Sequence, residues 1–361
     1  MEWKFSEEQV DYQNVLRGWL QQTAPMDQVR RWLGTDDEPA DPGDFERRLS
    51  AAGLAGVGVP EALGGQGGGI IELALTGEEF ARAGVPCSAW LATVLALPAL
   101  DSRPDLAEQA LDSAPLAWLI SAENIPDLRT VELANVEADG RLSGSFTRAL
   151  GADRAARLLV VAEVDGRAQV HVVDTEADGV RVAPRRLLDA SRSVADVTLD
   201  GVRSQPLDVD AAQCLERVAE IAAVLTAADS LGAMERMLDL AVEYSGQRHQ
   251  FGKPIGSFQA IKHAAASILV EVEAGRTGVF YAAASVDSAH EDRAMHVAAI
   301  KAQVTAGGAV TADTALTIHG AIGYTWEHDL HLYYKRARLN EHLFGPPAEW
   351  NERLANRLHL V

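Results

Sequence analysis

Arg248-His249-Gln250-Phe251-Gly252-Lys253-Pro254-Ile255-Gly256-Ser257-Phe258-Gln259 is the stretch on which the reading of this chain turns. Glycines and a proline here interrupt two long helical patterns, so Arg248 is expected to close one helix and Phe258-Gln259 to open the next. The loop between them presents a guanidinium, an aromatic face and backbone amides on one side. Such a set suits a pyrophosphate and a stacked purine, because arginine pairs with phosphate through two parallel hydrogen bonds and phenylalanine offers a flat apolar surface. It also suits a plain corner between helices, with Arg248 capping carbonyls and Phe251 in a core. Taken alone, the segment leaves both readings open.

Outward from this loop, composition divides the chain into three zones. Residues 1–115 carry helical periodicity. Ser6-Glu7-Glu8 opens a helix with apolar positions Val10, Val15, Leu16, Trp19 and Leu20, Asp44-Phe45-Glu46 opens another through Leu49, and Ile70 to Ala83 reads as a third. Before the last of these, glycines crowd Gly53 to Gly69 densely enough to force a turning loop. It lacks the Gly-Lys-Ser/Thr of a phosphate loop and the G-x-G-x-x-G of a dinucleotide turn, so a tight connector is the expected role. Residues 116–210 switch to short β-rich segments at 141–147, 157–162, 168–173 and 194–199, punctuated by Asp139-Gly140, Asp165-Gly166 and Asp200-Gly201. Residues 211–361 return to long helices rich in Ala, Leu, Glu and Arg, broken at Gly246, at Gly252 to Gly256 and at Gly320 to Gly323. The expectation is an α+β multidomain protein with a helical N-terminal domain, a small antiparallel β domain and a helical C-terminal domain.

Charge and cysteine content limit the function. With 52 acidic against 32 basic residues, the formal charge of −20 disfavours nucleic acid and anionic lipid, so an anionic ligand needs a local pocket. Cys87 and Cys214 form neither a C-x-x-C pair nor a metal spacing, which implies two buried thiols in a reducing compartment. The first residues show no basic segment followed by an apolar one, and no stretch has the apolar length of a membrane span. A soluble, cytoplasmic protein is expected. His319, His328, His331 and His342 cluster in sequence, but no carboxylate or cysteine completes a recognised zinc pattern, and no metal is expected.

A second stretch, His319-Gly320-Ala321-Ile322-Gly323-Tyr324-Thr325-Trp326-Glu327-His328-Asp329-Leu330-His331-Leu332-Tyr333-Tyr334-Lys335-Arg336, joins the first to make a specific signal. Together they closely resemble the acyl-CoA dehydrogenase flavoproteins, particularly actinobacterial ones, over nearly the whole chain. The resemblance implies the acyl-CoA dehydrogenase fold, ending in a four-helix bundle, and FAD as cofactor. In that family the first segment binds the FAD pyrophosphate and adenine across a subunit interface. By that match Arg248 would hold the pyrophosphate, with Gln250, Phe251, Ile255 and Phe258 around the adenosine end. Thr317, Ile318 and Ala321 would stand at the flavin nucleotide, where the family usually reads Gln-x-x-Gly-Gly.

The departures are as informative as the match. The family's β domain carries Thr-Glu-Pro and Gly-Ser-Asp stretches that hydrogen-bond the isoalloxazine and the thioester, whereas this chain reads Ile120-Ser121-Ala122-Glu123-Asn124-Ile125-Pro126. The catalytic carboxylate is missing from both family locations. Phe344-Gly345-Pro346 stands where Glu-Gly-Thr is expected, and Ala222 and Ala223 occupy the alternative site. Family members remove an α-proton to that carboxylate while the β-hydride goes to flavin, and a positioned base supplies about 10²–10⁴-fold in rate. Glu220 and Glu341 are the nearest carboxylates. Some actinobacterial members are heterotetramers of two unlike chains, one degenerate, acting on steroid side-chain CoA thioesters. The resemblance therefore implies the degenerate subunit, with a paralogous chain supplying the base, an acyl-CoA substrate and an electron-transfer flavoprotein or similar acceptor. A homo-oligomer using Glu341 or Glu220, or a flavin-free scaffold, are the alternatives.

Overall fold

The structure, a computed structural model, describes residues 4–34 and 40–358. In chain order it contains helices α1 (Glu7–Thr23), α2 (Met26–Leu33), α3 (Pro42–Ala51), α4 (Ile70–Ala83), α5 (Ser88–Ala96) and α6 (Pro104–Asp112). Strands follow: β1 (Leu116–Trp118), β2 (Asn135–Val136), β3 (Leu142–Leu150), β4 (Arg157–Val164), β5 (Arg167–Asp174), β6 (Val180–Arg185), β7 (Val194–Val202) and β8 (Gln205–Pro206). The long helix α7 (Ala211–Gln247) then leads to the short strands β9 (His249–Gln250) and β10 (Lys253–Pro254), and to α8 (Gln259–Asp287), α9 (Arg293–His319), α10 (Leu330–His342) and α11 (Pro347–Ala355). The helix, sheet, helix order is the one the composition implies. By internal contacts the chain forms two compact units.

One unit comprises Met1–Val29, Ile70–Val85 and Ala223–Val361. Helices α8, α10 and α11 pack on α9, α1 packs on α4, and α4 packs on α8. At the start of α1 the Ser6 hydroxyl accepts the Gln9 amide at 3.2 Å while the Gln9 side chain accepts the Ser6 amide at 3.0 Å, satisfying two otherwise orphaned donors. Leu16 and Leu20 are buried, whereas Val10 and Val15, expected on the same apolar face, are 44% and 63% exposed. Crossing α4, α7 comes within backbone contact at Gly232, where a Cβ would lie 2.0 Å from the Glu78 carbonyl oxygen. No side chain fits there.

The other unit comprises Arg30–Gly69 and Pro86–Ala222. It holds two four-stranded sheets, ordered β1-β4-β5-β8 and β2-β3-β7-β6. Phe146, Leu158, Val160, Val173, Val197 and Leu199, all buried, form part of one hydrophobic core. The pairings are antiparallel except β1 with β4, which run parallel with Leu116 opposite Arg157. Strands β1, β2 and β8 escape the sequence reading because they are only two or three residues long, and edge strand β6 alternates only over its first residues before Pro184. Asp165-Gly166 makes the expected hairpin turn between β4 and β5, with φ of 50° and 75°. Asp200-Gly201 does not turn the chain. It lies inside β7, where the register against β3 slips between Leu142 and Gly144 and the Ser143 hydroxyl accepts the Gly201 amide at 2.8 Å, a β-bulge.

The glycine-dense connector closes on itself: Gly58 and Gly67 donate to the carbonyls of Gly67 and Val59, and Gln66 donates to Gly56. Those amides are spent within the loop, which suits a connector rather than an anion cradle. No helix among the described residues is long and apolar enough to cross a membrane.

Candidate functional site

The quoted loop is a β-hairpin rather than a bare corner. After α7 ends, the Arg248 amide still donates to the Tyr244 carbonyl at 2.8 Å, and the Ile255 amide returns to the Arg248 carbonyl at 2.8 Å. Between them β9 pairs antiparallel with β10, Gln250 opposite Lys253. Phe251 and Gly252 form the two-residue turn with φ of 52° and 77°, both left-handed. The turn thrusts Phe251 into solvent, 92% exposed. Its ring meets Phe258 edge-on at 6.1 Å, and the Lys253 ammonium lies 4.4 Å over the Phe258 ring. Arg248 and Gln250 are exposed, Ile255 and Phe258 half-buried. The Arg248 guanidinium forms no ion pair among the described residues.

Tyr244, which the sequence did not single out, ties this hairpin to the second predicted segment. Its ring stacks on His319 at 4.8 Å and 21°, and His328 meets the His319 ring edge-on at 4.6 Å. The His319 Nδ1 hydrogen-bonds the Ala315 carbonyl at 2.7 Å. Burial pushes its pKa down, with His328 adding to the effect, so the imidazole stays neutral. Within this one unit the ends of α7 and α9 are thereby joined, and Thr317, Ile318 and Ala321 lie within two residues of His319 in sequence. Thr317 and Ala321 are exposed, whereas the Ile318 side chain is buried. The Thr317 hydroxyl donates back to the Asp313 carbonyl, occupying its proton.

At the position of the missing carboxylate the chain makes a fixed turn. Phe344 and Gly345 take φ of 56° and 95° after α10 ends at His342. The Trp350 indole donates to the Phe344 carbonyl at 2.9 Å, and the Lys301 ammonium donates to the carbonyls of Gly345 and Asn340, each at 3.1 Å. Lys301 is wholly buried, and burial pushes its pKa down to about 7. Beneath it Asp229 accepts from Arg336 and from Asn340 at 2.6 to 2.8 Å, and Arg336 also donates to the Val85 carbonyl. Phe344 is itself buried, so it presents an apolar ring and no proton acceptor. Glu341 pairs with Arg338 at 3.4 Å. Because α10 stops two residues before Phe344, Glu341 and Phe344 share no helical face.

The alternative base position is equally apolar. Ala222 and Ala223 are fully buried on α7. Glu220 is also buried, 3.5 Å from Arg217. In the β-sheet unit, Ile120, Ser121, Ala122 and Ile125 are buried, and Glu123 points outward to pair with Arg148 at 3.0 Å. The Ala122 amide is taken by the Arg148 carbonyl. That segment's groups are thus held by protein partners.

Comparison with known proteins follows the same lines. Residues 6–102 match the profile of the acyl-CoA dehydrogenase N-terminal domain and residues 214–358 that of the acyl-CoA dehydrogenase C-terminal domain. Among curated relatives, acyl-CoA dehydrogenase IpdE2 of Mycobacterium tuberculosis is 34% identical over 307 residues, covering 85% of this chain and 83% of its own. Among solved structures, the ChsE4-ChsE5 complex from Mycobacterium tuberculosis superposes with a TM-score of 0.86 at 25% identity, over 100% of both chains. The Tcur3481-Tcur3483 steroid ACAD G363A variant gives 0.83 at 25% identity over 97% of each.

Proposed function

The chain belongs to the acyl-CoA dehydrogenase family, and on that premise we propose that it is the base-less subunit of a hetero-oligomeric, FAD-dependent enzyme. Its paralogous partner supplies the catalytic carboxylate and the flavin-ring contacts. The observation that carries this reading is the uneven state of the two halves of the site. Arg248, Phe251 and Lys253 are exposed at and around the hairpin, and the half-buried Phe258 packs beside them, a cationic and aromatic set that fits a nucleotide diphosphate and an adenine. Gln250 and Ile255 flank them in sequence, and by the family match Thr317, Ile318 and Ala321 would stand at the flavin nucleotide, although the Ile318 side chain is buried. Phe344, Ala222 and Ala223 provide no acceptor for an α-proton. Bound FAD would supply the hydride acceptor.

Two of the solved relatives are named as pairs, ChsE4-ChsE5 and Tcur3481-Tcur3483, and the second is called a steroid enzyme. Both support an unlike partner here, and the second supports, by analogy, a steroid CoA thioester as substrate; a side-chain thioester and an electron-transfer flavoprotein or similar acceptor belong to the same proposal. The three-part division at residues 115 and 210 belongs to this proposal, as does a cytoplasmic setting. The test is the visible spectrum of the chain purified alone and after co-expression with a base-bearing paralogue. Yellow protein only in the mixed complex is expected; stoichiometric flavin on the lone chain would overturn the shared-site reading.

A further inference from the structure

Away from all the residues above, the β-sheet unit holds a cavity of about 260 Å³ between α3, α5, α6 and the turn at Arg154. We propose that this cavity binds a small apolar monocarboxylate, its tail on the Trp90 floor and its carboxylate at Arg47. The floor is apolar: Leu49, Trp90 and Ala110 are all at least nine-tenths buried. At this volume the site lies below the roughly 300–1,000 Å³ of drug-sized pockets, so its occupant is small.

The mouth decides the head group. Arg154 is committed, its Nε donating to both Glu46 carboxylate oxygens at 2.9 and 3.1 Å. That pair braces α3 against the sheet side, with Gly43 leaving room for the guanidinium, 2.8 Å from where a Cβ would stand. Arg47 is different. Its side chain is 68% exposed, and its only ion pairs among the described residues are long, 3.8 Å to Asp41 and 3.7 Å to Asp44. It is the cation at the rim with capacity for a new partner. Asp112 lies on the rim too, where the Ser113 hydroxyl donates to it at 3.0 Å, so an amine is the competing head group.

The probe is 4-phenylbutyrate, titrated by calorimetry into the full chain, with its amide and 4-phenylbutylamine as controls. The carboxylate is expected to bind, and the amide about threefold more weakly, as suits a solvent-exposed ion pair. Arg47→Ala should erase that preference without disturbing the fold. Filling the floor with Ala110→Phe should weaken binding at least about tenfold, and Leu111→Trp at the rim gives a second filled variant should the first fail to fold. No binding of 4-phenylbutyrate, equal affinity in the filled variants, or tighter binding of the amine would each overturn the proposal.

Discussion

Glu78 shows how single residues set the behaviour of the helical unit. It is wholly buried, one oxygen held by Arg276 at 2.7 Å and the other without a hydrogen-bond partner. Burial, reinforced by Glu79, pushes its pKa up to about 7 from 4.5, against the pull of Arg276. The folded chain therefore holds a proton that the unfolded chain has lost between those values. Its stabilising contribution is full below pH 4.5 and is gone once the pH passes 7, a change of about 3 kcal/mol. Glu78→Gln should flatten the stability profile by about that amount, as urea unfolding at pH 5 and pH 8 will show. Lys301 works in the opposite sense. Its pKa falls to about 7, so the burial penalty on its charge is present below pH 7 and is relieved as pH rises toward 10.5. Lys301→Met also leaves the carbonyls of Asn340 and Gly345 buried without a donor, costing about 1–3 kcal/mol each. The deficit of that variant against the parent should widen between pH 7 and pH 9, measured by the same unfolding experiment. Neither residue was legible in the sequence: Glu78 and Lys301 sit in helices buried on most of their sides, and only the fold shows what closes over them.

Among the elements, helices were the most legible and short strands the least. Ile70 to Ala83 was readable end to end because its apolar positions repeat over several turns, and Ser6 with Gln9 marks α1 by a capping pattern visible in four residues. The hairpin β9–β10 was hidden because four strand residues and one turn carry no periodicity. Its glycine was visible, but its strands were not. Crossing helices also leave little trace: Gly232 reads as an isolated glycine in a helix, yet the backbones of α4 and α7 touch there. Gly232→Ala must force them apart. A loss of at least about 1–3 kcal/mol is expected from overpacking alone, measured by thermal or urea unfolding, whereas Gly246→Ala, whose Cβ meets nothing, should be neutral or slightly stabilising.

For the whole molecule, the surface is acidic, with a formal charge of −20, and the Arg248 hairpin with its exposed aromatic tip stands out against it. The family was legible because two long motifs survive largely unchanged, and the lack of a carboxylate at the positions where the family resemblance expects one was legible because it is a matter of residue identity. Where the proposed cofactor half-site would meet a partner chain was not legible, since that would depend on a surface completed by another sequence. On the proposed reading, this chain lends the adenine and pyrophosphate half of a shared flavin site. The most direct test is flavin content per complex after co-expression with the base-bearing paralogue, comparing the parent chain with Arg248→Ala. Arg248 is exposed and bears no fold-holding ion pair among the described residues, so the complex should keep its mass, while flavin affinity should fall about ten- to a hundredfold with the loss of a charge-assisted contact. Flavin retained undiminished in an intact Arg248→Ala complex would contradict the account.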